Sequence, residues 1–249
     1  MKRKARHRKP RRIAAALISA LIGIVIAAGP APAGEHESPN DFEALKERMI
    51  KDASAGLPAG YIDSVFANAG LEFASKGISA YFQHRESKLN YGQFLEDKPI
   101  GNALRYMREH EAPLAAAEEK FGVDREVITA IMLVETRLGT YTGYQSVINI
   151  LATMAALEDP AVRKRFWEQL PEENRFSKTR FEKKADAKSA WAYRELTDFL
   201  TYTRREAMDP FAVQGSYAGA VGIAQFMPSN ILLLAEDGNA DGRVNLFHH

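Results

Sequence analysis

GSYAGAVGIAQFMPSN, Gly215 to Asn230, lies inside the longest stretch of the chain that carries no charge: no Asp, Glu, Lys or Arg occurs from Phe211 to Ala235. The stretch is too rich in Gly, Ser, Gln and Pro for a plain core helix. Gly215, Gly219, Ala220 and Gly222 allow a backbone to approach another surface closely, either a packed helix or a ligand. Ser216 and Gln225 carry hydroxyl and amide groups suited to sugar hydroxyls and acetamides. Tyr217 and Phe226 carry rings that can lie against a pyranose face. Taken alone, these residues fit a tight helix–helix contact as well as a sugar groove.

Outward from this block the pattern is helical. Pro228 suits the first position of a helix running to Ala235. Upstream, Ala185 to Met208 is long and amphipathic, and Ala161–Leu170 and Ser146–Leu157 read as helices divided by Pro160. Asn102–Phe121 reads as one helix stopped by Gly122. Leu71 to Ile100 is less regular and predicts loops with a helical turn or two. Tyr61–Ala67 is a short helix, and Phe42, Leu45, Met49 and Ile50 recur at helical spacing before Gly56-Leu57-Pro58. Strand signals are few and no repeat occurs, so the fold class is mainly α.

Two motifs carry chemistry. Asp124 stands at the N-cap position of a helix from Arg125 to Leu138, with Gly139 just past its end. On that helix Glu135 follows Ile131 by four residues and precedes Leu138 by three, which predicts that it shares an apolar stripe with them and with Ile128. A carboxyl in such surroundings is desolvated, which favours the protonated form a general acid needs. A buried Glu paired with an arginine satisfies the same pattern. The second motif is Asp237-Gly-Asn239-Ala-Asp241-Gly242-Arg243-Val244, which matches the start of an EF-hand-type loop. Asp237, Asn239 and Asp241 supply oxygens at the first, third and fifth positions, and Arg243 a backbone carbonyl at the seventh. The twelfth position is His248 rather than the usual Glu, so calcium would bind weakly; the alternative is a turn without metal.

Composition sets the compartment. Residues 1–12 carry eight Lys or Arg and no acid, residues 13–28 are uninterruptedly apolar, and Ala31-Pro32-Ala33 offers small residues for cleavage. This is the layout of a secretory signal over 1–33, with an N-terminal inner-membrane anchor through 13–28 as the alternative. A short polar linker, 34–40, separates it from a domain over 41–249. Removing the eight leader cations from a total of 33 leaves 25 against 32 acids, a mature charge near −7. Such a chain lacks the basic face that nucleic-acid binding requires. It has no cysteine, which excludes disulfides, thiolate zinc sites, a cysteine nucleophile and a lipoprotein anchor.

Taken in order, the motifs resemble the lytic murein transglycosylase B family, glycoside hydrolase family 103. The matching residues are Gly122-Val123, Ile131 to Gly139 (IMLVETRLG), Gly143, Leu151 to Met154, Glu195-Leu196, Phe199-Leu200, Gly215 to Gly222, Gln225 to Ser229 and Asp241 to Leu246. The resemblance implies a lysozyme-like α domain with additional helices and a calcium loop. It implies an exported, periplasmic enzyme acting on peptidoglycan glycan strands with no organic cofactor. Glu135 matches the single catalytic acid/base, and Ser216, Gln225 and Phe226 match positions lining the glycan groove. Tyr217 is a candidate stacking ring, and Asp237, Asn239, Asp241 and Arg243 match the calcium site. Where the family often has two arginines before the Glu195 segment, this chain has Lys188. The family continues past the calcium loop with helices that complete the groove, so the domain is expected to be C-terminally incomplete. A hydrolytic muramidase with a second carboxylate and a non-catalytic glycan-binding scaffold are the competing expectations.

Overall fold

A computed structural model describes residues 41–52, 56–83, 90–170 and 177–247. The expected signal or anchor at 1–33, the linker and His248 lie outside the described residues. Among the described residues ten α-helices run in the order α1 Glu43–Lys51, α2 Ala59–Phe66, α3 Ser75–Gln83, α4 Asp97–Glu109, α5 Glu111–Phe121, α6 Arg125–Thr136, α7 Val147–Ala156, α8 Pro160–Gln169, α9 Lys178–Arg205 and α10 Pro228–Leu234. A 3-10 helix, Tyr91–Leu95, precedes α4, and two short strands, β1 Gln145–Ser146 and β2 Gln214–Gly215, pair antiparallel.

The core forms around α7. Nine of its ten residues are buried, only Asn149 being half-exposed, because VINILATMAA is apolar on every side and suits only a central helix. The helix is started by Ser146, whose side chain accepts the amide of Asn149 at 3.5 Å. Along its flank runs α9, 28 residues or roughly 42 Å of helix. It turns Phe181, Ala185, Ala192, Leu196, Phe199 and Leu200 inward at helical spacing. Phe82, Phe166 and Phe181 meet within ring-centroid distances of 5.6 to 6.2 Å and close the core against α3 and α8.

The structure departs from the sequence reading most at three places, besides shifts of a few residues at the start of α4 and the ends of α6 and α9. The helix expected over Asn102–Phe121 is two helices parted at His110. Pro113 cannot donate an amide, and its ring opposes the carbonyl of Glu109, where α4 ends. The region expected to be loops contains α3, whose Gly77 obscures the apolar spacing. A Cβ at Gly77 would overlap Cδ1 of Ile150, so that glycine is what lets α3 lie on α7. The long helix α9 starts at Lys178 rather than Ala185, capped by Ser177, whose hydroxyl accepts the amide of Arg180 at 3.3 Å. Its first turns are so charged that only Phe181 marks their inner face.

Candidate functional site

Helix α6 places Glu135 one residue before its end. Asp124 occupies the N-cap position without a capping side-chain bond. Glu118 instead accepts the Arg125 amide at 3.4 Å and pairs with its guanidinium at 2.7 Å. The buried face of α6 is Thr129, Leu133 and Thr136, four and three residues apart, packed toward α4 and α5. The expected stripe of Ile128, Ile131, Glu135 and Leu138 is therefore not the core face. Glu135 is exposed, Ile131 is 51% exposed, Val127 47% and Val134 38%. The burial expected of Glu135 is corrected accordingly: α6 has apolar residues on two faces, and spacing alone does not say which of them the neighbouring helices cover.

Past Thr136 the chain makes an unusual turn. Arg137, Leu138 and Gly139 all adopt positive φ, at 49°, 61° and 84°. Leucine rarely enters this region. The turn is held by Leu138 donating to the Met132 carbonyl at 2.9 Å and Gly139 donating to the Thr136 hydroxyl at 2.9 Å. Arg137 donates to Oε1 of Gln93 at 3.0 Å, and its guanidinium stands 5.8 Å from the ring centres of both Phe94 and Tyr141. This cation between two rings was not anticipated, because Gln93 and Phe94 belong to the segment that showed no periodicity.

The glycine-rich block folds beside this turn as a compact knot of backbone. Val221 and Phe226 exchange hydrogen bonds of 2.8 and 3.0 Å, and Ser216 donates its amide to the Ala220 carbonyl at 2.9 Å. The close approach its glycines permit is to the protein itself. A Cβ at Gly222, whose φ is 73°, would overlap the Leu246 carbonyl, and one at Gly219 would lie 2.7 Å from Leu151. Of the two readings of these glycines, close packing on the protein is thus the one observed.

The polar side chains of the block also brace it. The Ser216 hydroxyl accepts the amides of Ala218 and Ala220 at 3.3 and 3.0 Å. Gln225, itself at φ 52°, donates its side-chain amide to the carbonyls of Gly222 at 2.8 Å and Thr142 at 3.0 Å, which ties the block to the loop after α6. The Gln225 amide oxygen remains as an acceptor. Phe226 is half-buried against the core. Tyr217 lies 6.4 Å from the Tyr81 ring, which in turn stacks on Trp191 at 6.4 Å and 9°. Lys188 holds its ammonium 4.8 Å from the Trp191 ring centre and 5.4 Å from that of Tyr81. Neighbouring Lys184 donates to the Phe82 carbonyl at 2.9 Å. Burial, then the charges of Lys188 and Arg180, push its ammonium below the usual lysine range. The structure thus brings Tyr217 and Lys188 together through Tyr81, an aromatic residue of the missed helix α3.

The Asp237–Arg243 loop is folded around Asp237. Its carboxylate accepts the amides of Gly242 at 2.7 Å, Asn239 at 3.2 Å and Asp241 at 3.3 Å. The bond from Gly242, with help from the other loop amides, holds this carboxyl below the usual carboxylate range. Gly242, at φ 84°, makes the sharp turn expected of a sixth position. Asn239 donates its side-chain amide to Asp241 at 2.9 Å. Among the described residues no three His, Cys, Asp or Glu side chains gather as a metal site. Asp237, Asn239 and Asp241 nevertheless bring side-chain oxygens to one sharp turn, the donor type a hard cation takes. Beyond the loop, Val244 is clamped to α9: Tyr202 donates to its carbonyl at 2.9 Å and Glu206 accepts its amide at 3.1 Å.

The site therefore combines a mainly α-helical domain, an exposed glutamate at a helix end and a knot of glycine-rich backbone tied to that end. The comparisons identify the family. Residues 41–249 match the transglycosylase SLT domain, and the chain belongs to that family. It is 30% identical over 155 residues to the membrane-bound lytic murein transglycosylase B of Escherichia coli strain K12, an alignment covering 62% of this chain and 36% of that protein. The chain therefore spans about a third of the length of that curated relative. The fold is similar to that of soluble lytic transglycosylase SltB1 from Pseudomonas aeruginosa, with a TM-score of 0.64 and 25% identity, over 83% of this chain and 60% of that one. It is similar also to the Escherichia coli lytic transglycosylase Slt35 in complex with calcium, with a TM-score of 0.64 and 24% identity, over 86% and 60% of the two chains.

Proposed function

We propose that this chain is an exported lytic transglycosylase that cleaves the β-1,4 bond between N-acetylmuramic acid and N-acetylglucosamine in peptidoglycan. The observation that carries the reading is the position of Glu135, an exposed carboxyl at the end of α6, joined through the next residue to the glycine-rich wall. Family membership and the murein transglycosylase named among the relatives support it.

Glu135 acts twice. In its protonated form it gives its proton to the glycosidic oxygen as the C1–O bond breaks, releasing the leaving sugar as an alcohol. The resulting carboxylate takes the proton of the muramyl C6 hydroxyl, whose oxygen bonds to C1 and closes a 1,6-anhydro ring. No water is consumed and the residue returns to its starting form. One carboxyl suffices because donor and acceptor act in sequence on one face of the ring, unlike the paired carboxylates of most glycosidases. The glycan itself supplies desolvation: a sugar ring laid over Val127, Ile131 and Val134 covers Glu135 and keeps out the water that would otherwise hydrolyse the bond. Gln225 offers its free oxygen to an acetamide N–H, Ser216 and Phe226 line the wall, and Tyr217 with Lys188 extends it toward the carboxylates carried by the muramyl side.

Calcium belongs to this reading as a structural ion. Asp237, Asn239, Asp241 and the Arg243 carbonyl would hold it, and its charge would stiffen the loop that leads into Val244–Leu246. The basic and then apolar N-terminal residues support export to the periplasm, with release by a signal peptidase or retention at the inner membrane through residues 13–28. The test is digestion of purified murein sacculi, with soluble products weighed by mass spectrometry. Anhydro products, one water lighter than hydrolysis products, are expected. Reducing ends would identify a muramidase instead, and no release a binding protein.

A further inference from the structure

We propose that the Thr136 hydroxyl is a positioning group that fixes Glu135 against the glycine-rich wall. The inference rests on Glu135 being the acid/base. Thr136 follows Glu135 directly and ends α6, and it is 1% exposed. Its Oγ1 lies 2.8 Å from the carbonyl of Ile223 and 3.3 Å from that of Met132. A hydroxyl has one proton to give, so the shorter contact takes it. A threonine within a helix ordinarily returns its hydroxyl to the preceding turn. Here the stronger bond leaves the helix for a segment 87 residues further along the chain.

The same oxygen accepts the Gly139 amide at 2.9 Å, the bond that closes the left-handed turn of Arg137, Leu138 and Gly139. Ile223 is anchored from its other side too, its amide donating to the Leu246 carbonyl at 3.1 Å. Three pieces therefore meet at one buried hydroxyl: the end of the catalytic helix, the turn after it and the wall. With Oγ1 removed, the Gly139 amide loses its partner, and the Ile223 carbonyl loses its bond to α6. Glu135, one residue away, is then no longer tied to the wall by its own helix end.

The experiment compares Thr136→Val, of the same shape without the hydroxyl, with Thr136→Ser, which keeps it. Initial rates are measured over a range of soluble glycan-strand concentrations beside the unaltered full chain and Glu135→Gln. Misplacing a reacting group by about an ångström costs roughly a hundredfold. The expected result is a kcat lowered roughly 10- to 100-fold in Thr136→Val, with KM within about threefold and Thr136→Ser restored to within about threefold of the unaltered protein. Should Thr136→Val not fold, Thr136→Ala removes the same hydroxyl and carries the same expectation. A folded Val or Ala variant with unchanged kcat would overturn the proposal, as would a Ser variant as impaired as Val, or a change confined to KM. An inactive unaltered protein, or an active Glu135→Gln, strikes instead at the acid/base reading, and the positioning role falls with it.

Discussion

The two halves of this domain use apolar side chains in opposite ways. Around α7 and α9 they are buried almost without exception: Val147, Ile148, Ile150, Leu151, Phe181, Phe199 and Leu200 are each 0% exposed. From Tyr91 to Tyr141 the chain is nearly as apolar, yet Leu95, Ile100, Leu104, Phe121, Val127 and Ile131 all stand in solvent. Only Tyr106, Leu114, Leu133 and the two threonines of α6 are buried there. The first half holds the fold; the second carries Glu135 among exposed apolar groups, which a glycan would cover in the proposed function. Apolar residues are buried in one half and exposed in the other, and only the packing of neighbouring helices distinguishes them.

Substitutions that treat both halves alike break this contrast in graded steps. Phe199→Ala removes a ring from the best-packed part and should cost about 3–5 kcal/mol in denaturant unfolding. Next comes alkali. Burial, with the Glu206 charge beside it, raises the Tyr202 phenol to about 12, against 10 for an ordinary tyrosine. A raised folded-state value means that the unfolded chain ionises first. The stability this tyrosine contributes is full below pH 10 and lost as pH climbs toward about 12. Tyr202→Phe should flatten the loss of stability over that window by an amount on the order of 2 kcal/mol, read from melting curves at stepped pH.

A smaller effect tests the calcium loop. Calcium at about ten times its dissociation constant should stabilise the protein by about 1.4 kcal/mol in thermal melts. Asp237→Ala should abolish the shift, and because this carboxylate also accepts three loop amides, the melting temperature without calcium should fall slightly as well. The smallest effect is expected at Ile131→Ala, on the open face, with stability changed by less than about 0.5 kcal/mol. The same variant should bind glycan strands more weakly, which separates a recognition surface from a core one. A loss like that of Phe199→Ala would show α6 to be packed as tightly as α7.

Most of the fold was readable because it rests on local rules. Pro160 and Pro228 stand at helix starts, and Gly122 stops a helix in the left-handed region. What escaped was set by contacts between distant segments. Helix α3 depends on Gly77 nestling against Ile150, and neither residue shows this in its own window. The apolar spacing on α6 was read correctly but assigned to the wrong face, since period 3.6 says nothing about which side has a neighbour. The candidate site residues were chosen by their types and by resemblance, whereas their bonds in the structure are largely internal. Gln225 and Ser216 shape the wall before they can touch a ligand. Thr136 gave no signal, because a threonine beside an acid becomes informative only once its partner at Ile223 is seen.

In the proposed reaction Glu135 alone supplies and recovers the proton. This role is tested most directly by weighing the products of sacculus digestion for the unaltered chain and for Glu135→Gln. Anhydro-muramyl products are expected from the first. From the second, an equally stable protein, turnover should be reduced by at least about a thousandfold. Anhydro products released at an undiminished rate by Glu135→Gln would contradict it.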